Sequence, residues 1–126
     1  MNLLGTPWLY RYTWAIGAIT IASGAFQIVF TGWELDFLDA ENTDTTRHFF
    51  AIVGMFMVLF GGLVLHALCT PEGARTPLLW AAFQKFGAAV AVGLGVMTDV
   101  FSPLASAVAG FDLLSGIVFM LYRGRL

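Results

Sequence analysis

Residues Pro103–Tyr122 read PLASAVAGFDLLSGIVFMLY, an apolar run interrupted by a single carboxylate, Asp112. About 20 consecutive apolar residues form a helix as long as the hydrocarbon core of a bilayer is thick. A charge near the middle of such a helix is costly unless it is paired or solvated, so it marks a place where the helix needs a partner. A second run, Pro77–Thr98, carries the complementary charge, Lys85, in its first half. These two side chains are the leading functional residues of the sequence.

Two more apolar segments lie upstream, and the four together, roughly 7–32, 44–69, 77–98 and 103–122, predict an all-α integral membrane protein. The expectation is a single transmembrane domain over residues 1–126, folded as a four-helix bundle. Helices are expected rather than strands because no period-2 alternation occurs and 14 glycines suit close helix contacts in lipid. Composition agrees. With 59% hydrophobic and only 11% charged residues and a mean hydropathy of +0.82, the chain falls far short of the roughly one-quarter charged content of soluble domains. The net charge of -2 comes with no basic stripe, which leaves nucleic acid without support as a partner. A lone cysteine, Cys69, excludes an intrachain disulfide and suits a reduced, cytosol-facing turn.

The four prolines punctuate these segments, each following a hydroxyl residue: Thr6-Pro7, Thr70-Pro71, Thr76-Pro77 and Ser102-Pro103. A hydroxyl at the N-cap with proline at the first helical position predicts that three of these pairs open helices, while Thr70-Pro71 closes the second. The second helix then takes Asp44 or Thr45 as its cap. Arg11 precedes an apolar run ending in Ala22-Ser23-Gly24, a pattern a signal peptidase accepts, but the segment is read as a retained first helix.

Charge asymmetry predicts orientation. Residues 33–43 hold Glu34, Asp36, Asp39 and Glu41 with no Lys or Arg, whereas Arg11, Arg75, Arg123 and Arg125 fall at the other end. Positive-inside counting places both termini and the Pro71–Thr76 turn in the cytoplasm. Trp8, Tyr10, Tyr12, Trp14, Trp33, Trp80 and Tyr122 lie near segment ends, as interfacial anchors do.

Several residue groups invite chemistry. The four acids of residues 33–43 are the right donors for a divalent cation, yet the alternation Trp33-Glu34-Leu35-Asp36-Phe37 equally describes an amphipathic stretch on a membrane surface, and a solvated surface segment is the reading preferred. No metal site is predicted. His66 follows Gly62 by one turn, leaving room for a flat macrocycle, so axial ligation of haem or chlorophyll is one option for His66, and Gln84 beside Lys85 is the other candidate to face a cofactor. The alternative for His48 and His66 is interfacial hydrogen bonding, and Arg47-His48 is read as addressing headgroups or the acidic segment. Gly87, Ala91 and Gly95 form a small-residue row on the third helix, and Gly116 with Ala105, Ala109 and Ser115 flanks Asp112 on the fourth. Both charges are therefore expected inside the bundle, as a Lys85–Asp112 pair. The competing arrangement is a Lys85 that snorkels to the interface beside a protonated Asp112. Phe119→Leu is expected to be tolerated if that position faces lipid or loosely packed protein.

No nucleophile elbow, phosphate loop, Cys-x-x-Cys or His-Glu-x-x-His occurs, so no catalytic residues are assigned and enzyme activity is not expected. Four helices without broken-helix signals do not make an inverted-repeat transporter. The layout, with Arg11 opening the first helix, Arg47 leading a glycine-rich second helix and Phe111-Asp112-Leu113-Leu114-Ser115-Gly116 in the fourth, resembles the DoxX-like group of small bacterial tetraspan proteins. That resemblance spans nearly the whole chain. It implies a multi-pass protein of the bacterial inner membrane, with links in some members to quinone or respiratory complexes. The leading functional expectation is a non-catalytic accessory or scaffolding subunit, partnered by lipids and by other membrane subunits or its own copies. The alternatives are a binder of a lipophilic cofactor (quinone, haem or chlorophyll), its identity unknown, and a proton or small-solute pathway through Lys85 and Asp112.

Overall fold

The computed structural model describes residues 6–126. Five α-helices follow one another: α1 (Thr6–Val29), α2 (Thr31–Phe37), α3 (Asp44–Cys69), α4 (Arg75–Met97) and α5 (Ala105–Gly124), with one 3₁₀ turn at Pro71–Gly73, and no strand is present among the described residues. Four of these helices, all but α2, are long and apolar enough to cross a membrane.

The boundaries depart from the sequence reading where capping was inferred from proline. The first segment does not run to residue 32. Phe30 leaves helical geometry (φ -111°, ψ 41°), and the Thr31 hydroxyl donates to the carbonyls of Gln27 and Ile28 at 2.7 and 2.8 Å, so the chain turns there and restarts as α2. Thr6 is the first residue of α1, and the cap expected of its side chain lies outside what is described. For α3 the cap is Thr43, one residue earlier than expected, in a capping box with Thr46. α4 opens at Arg75 rather than Pro77, with no side-chain cap from Thr76. Pro77 is tolerated there because the first turn's N–H groups have no intrahelical acceptor to lose. α5 opens at Ala105, not Pro103. The preceding residues form turns, with Ala105 N–H donating to Ser102 O and Ser106 N–H to Pro103 O, and the Ser102 hydroxyl caps nothing.

The bundle is built from two helix pairs. α1 packs chiefly on α3, and α4 on α5, with lighter contacts of α1 on α5 and α3 on α4 joining the pairs. Glycine sets the first pairing. A Cβ on Gly24 would stand 2.5 Å from the carbonyl oxygen of Gly54, and one on Gly61 would stand 2.7 Å from that of Gly17, so the α1 and α3 backbones touch at two levels. In the second pair, Gly116 lies under the ring of Phe86 and Gly95 under that of Phe101. The small-residue row is thus divided. Gly95 and Gly116 are packing positions, whereas Gly87 meets nothing within 4 Å among the described residues and Ala91 is exposed.

The apolar core fills the half of the bundle that holds the start of α1 and the end of α5, with Leu9, Val64, Leu68, Leu78 and Ala82 buried together. Phe119 belongs to it at 1% exposure. The condition for tolerating leucine there is therefore not met: α5 turns Asp112, Ser115, Phe119 and Tyr122 inward, and this 3–4 spacing continues the buried stripe from the carboxylate. At the same end the Arg75 guanidinium donates to Arg123 O at 3.0 Å, and Arg123 Nε donates to Arg75 O at 2.9 Å, clamping the start of α4 to the end of α5.

A polar junction beneath an open cavity

The two pairs meet at a knot of side chains from three helices. Lys85 Nζ donates to Asp112 Oδ1 at 3.2 Å and to Thr20 Oγ1 at 2.8 Å. The Thr20 hydroxyl in turn donates to Ile16 O at 2.7 Å, and the ammonium stands 5.4 Å from the centroid of the Phe111 ring. Lys85, Asp112 and Thr20 are 4%, 8% and 2% exposed. Lys85 lies about 15 Å along α4 from Arg75 and Asp112 about 18 Å along α5 from Gly124, so the two charges meet near mid-helix. Neither reaches an end of the bundle.

Each partner is positioned by its helix. On α1 the buried polar residues Thr13, Thr20 and Gln27 recur every seventh position, two helical turns apart, and so share one face. Thr20 meets the ammonium, and Gln27 Nε2 donates to Phe50 O on α3 at 2.8 Å. On α4, Ala81, Ala82 and Lys85 are buried together. The alanines let α4 approach closely enough for the lysine stem to lie within the bundle.

On the α2 side of this knot the helix pairs diverge around a cavity of about 560 Å³. Thr20, Lys85 and Asp112 form one part of its lining, the rings of Phe50, Phe101 and Phe111 line it elsewhere, and Glu34 of α2 completes it. Phe101 is folded back over Gly95, its N–H donating to Gly95 O at 3.1 Å, and Ser102 N–H donates to Leu38 O at 2.8 Å, so the α4–α5 connection is tied to the end of α2. Glu34 is half-buried, and its Oε2 has no hydrogen-bond partner among the described residues. Burial pushes its carboxyl above the usual carboxylate range.

The structure therefore brings together Lys85, Asp112 and Gln84, which also lines the cavity and has a buried, unpartnered Oε1. It does not bring in His66. That residue is exposed near the end of α3, on the side away from the buried Val64, Ala67 and Leu68, and takes no part in the cavity lining. The space above Gly62 is open, but it lies on the same outer region of α3. The acids of residues 33–43 separate: Asp36 accepts from Asn42 at 2.7 Å, Asp39 occupies a left-handed turn at φ 53°, and only Glu34 faces the cavity. No cluster of three His, Cys, Asp or Glu occurs among the described residues. Arg47 pairs with Asp44 and donates to Asn42 Oδ1 at 2.7 Å.

Sequence reading missed Thr20, Gln27 and Glu34. The first two carried a signal, polar residues seven apart in an apolar helix. Glu34 carried none that separates it from its acidic neighbours. No family model, curated protein or solved structure matches this chain.

Proposed function

We propose that the protein is a multi-pass integral membrane protein that binds a lipophilic small molecule in the cavity between its two helix pairs. The carrying observation is the cavity itself: about 560 Å³, walled by apolar side chains and floored by a buried ion pair. This volume and this mixture of apolar wall with few polar groups are those of sites that hold drug-sized ligands. Membrane placement is supported by the outward face, where Leu59, Val90, Met97 and Leu114 are 57%, 62%, 79% and 65% exposed. Water disfavours so much open apolar surface, whereas lipid solvates it.

The arginines frame the orientation. Arg75 and Arg123 sit together at the tightly packed end and Glu34 and Asp36 at the other, which supports cytoplasmic termini and a cavity toward the outer face of a bacterial inner membrane. This is the setting that the resemblance to DoxX-like proteins implies, with Asp112 of its Phe111–Gly116 segment lining the cavity. Binding, not bond-making, is the role assigned. A second reading, an accessory subunit or homo-oligomer, is favoured by Gly87, an exposed small residue on α4 outside the cavity lining that offers a close approach to another helix.

Native mass spectrometry of protein released from lipid nanodiscs tests the binding reading. A small molecule should remain with the wild type and be lost from Ala88→Trp, which fills the cavity from α4. Equal occupancy in both proteins overturns it.

A further inference from the structure

Among the described residues, three ionisable side chains line the cavity: Lys85, Asp112 and Glu34. The single cation is engaged, because Lys85 directs its ammonium to both Asp112 and Thr20. Asp112 and Lys85 cancel, which leaves Glu34 as the one carboxylate of the lining without a counter-charge there. Its Oε2 is buried and unpartnered. Three phenylalanines line the same space, Phe50, Phe101 and Phe111, and Phe111 already stands beside one ammonium, that of Lys85. Aromatic faces attract cations, the more so where water is excluded. An anion entering the cavity would find no free positive charge and would meet Glu34. A neutral ligand that offers Glu34 no hydrogen bond would leave the buried, protonated carboxyl unmatched, which is a cost to binding that a cation turns into an attraction.

We infer that the cavity takes a lipophilic organic cation, with the Glu34 carboxylate as its counter-charge and the rings of Phe50, Phe101 and Phe111 as its walls. This rests on the binding reading above and names the ligand class for that site. It also couples binding to a proton. In the empty cavity burial favours the protonated carboxyl of Glu34; a bound cation favours the carboxylate, so binding releases the proton and tightens as pH rises through the raised Glu34 value. The other charged groups near α2 stand outside the cavity lining, and Asp39, Glu41 and Asp99 are exposed. Asp36 accepts from Asn42, Asp44 and Arg47 of α3 pair with each other, and His48 is exposed with its ring against Phe49. The half of α1 that faces α2 carries no titratable side chain.

The test compares two probes of nearly the same shape and opposite charge, tetraphenylphosphonium and tetraphenylborate, on the full chain in nanodiscs, with empty nanodiscs as the blank. Calorimetry in buffers of different ionisation enthalpy reads both affinity and proton release. The phosphonium should bind with release of a proton and the borate should not bind above the blank. Glu34→Gln should weaken phosphonium binding about tenfold or more, equivalent to about 1.4 kcal/mol, and abolish proton release, while Glu34→Asp restores part of both. Ala88→Trp should remove phosphonium binding altogether. If both probes bind alike, or Glu34→Gln binds phosphonium as the wild type does, while Ala88→Trp still blocks uptake, the cation assignment is overturned and the cavity reading stands. If phosphonium uptake is the same in wild type, Glu34→Gln, Ala88→Trp and empty nanodiscs, the cation assignment is overturned, and retention of a small molecule by the wild type but not by Ala88→Trp decides the cavity reading separately.

Discussion

Removing one partner of the Lys85–Asp112 pair should cost far more than removing both. Asp112→Leu leaves the ammonium with a single neutral acceptor, the Thr20 hydroxyl at 2.8 Å. Lys85→Met leaves Asp112 without its one donor among the described residues. Stranding a buried ion costs about 3–5 kcal/mol, whereas exchanging a whole buried pair for apolar groups of similar volume is often neutral or better. The double variant Lys85→Met/Asp112→Leu should therefore lie near the wild type, with a coupling of about 3 kcal/mol or more in the cycle. Thr20→Val should cost less, about 1–2 kcal/mol, because it removes one hydrogen bond and leaves the ion pair. Reversible unfolding in mixed micelles, followed by circular dichroism as the denaturing detergent fraction rises, reads all five proteins on one scale. Single losses that add within about 0.5 kcal/mol would show that the charges do not interact and would refute the pairing. A double variant that regains stability but no longer retains the bound molecule would assign the pair to the binding site rather than to folding alone.

Three further outcomes follow from the same geometry. Gly54→Ala should destabilise the α1–α3 pairing by about 1–3 kcal/mol, since its Cβ would stand 2.7 Å from the carbonyl oxygen of Gly24, while Gly62→Ala, with nothing within 4 Å, should be neutral in the same unfolding assay. Glu34, whose carboxyl is raised by burial, binds more protons folded than unfolded between its ordinary and raised values, so its contribution is present at low pH and lost as pH rises through the raised value; Glu34→Gln should flatten that limb of the stability–pH curve. A reporter fused at Leu126 should be active only in its cytoplasmic form and one inserted beside Asn42 only in its external form, and the reverse pattern would invert the arginine-based orientation.

The long apolar segments were legible because the capacity of a helix to cross lipid is set by length and composition alone, and four helices are long and apolar enough. The facing residues were legible only in part. Lys85 and Asp112 stood out because charge is rare in apolar runs, and the structure does join them. The burial of Phe119 was not legible because an apolar residue in an apolar helix has no contrast with its neighbours; both faces of α5 look alike to a hydropathy scale, and only the inward stripe running from Asp112 through Ser115 to Phe119 sorts them. Glycine misled for the same reason. Gly87 and Gly95 share a row, yet only Gly95 has a ring against it, because Phe101 returns from a loop whose path the sequence does not state. The glycines that bring α1 to α3, Gly17 with Gly61 and Gly24 with Gly54, are spaced by seven on both helices, a register that becomes visible only when the two segments are aligned antiparallel.

The two ends of the bundle obey different rules, and the polar knot sits where they change. Toward Tyr122 the helices are held by apolar packing and by the reciprocal Arg75–Arg123 bonds, an arrangement that leaves no room for a guest. Toward α2 the pairs part, and the groups that would otherwise fill the gap are small, among them Ala88, Ala91 and Ala105. A bundle selected only for stability would place bulkier side chains there, since unfilled volume forfeits dispersion contacts at every wall. Lys85, Asp112 and Thr20 close the lower end of this space with bonds to one another, so the scaffold needs no ligand to satisfy them. Glu34 at the other side lacks such bonds. On the proposed reading the buried pair serves structure and the lone carboxylate recognition, which predicts that Glu34→Gln changes what the cavity binds while leaving the helix pairs assembled.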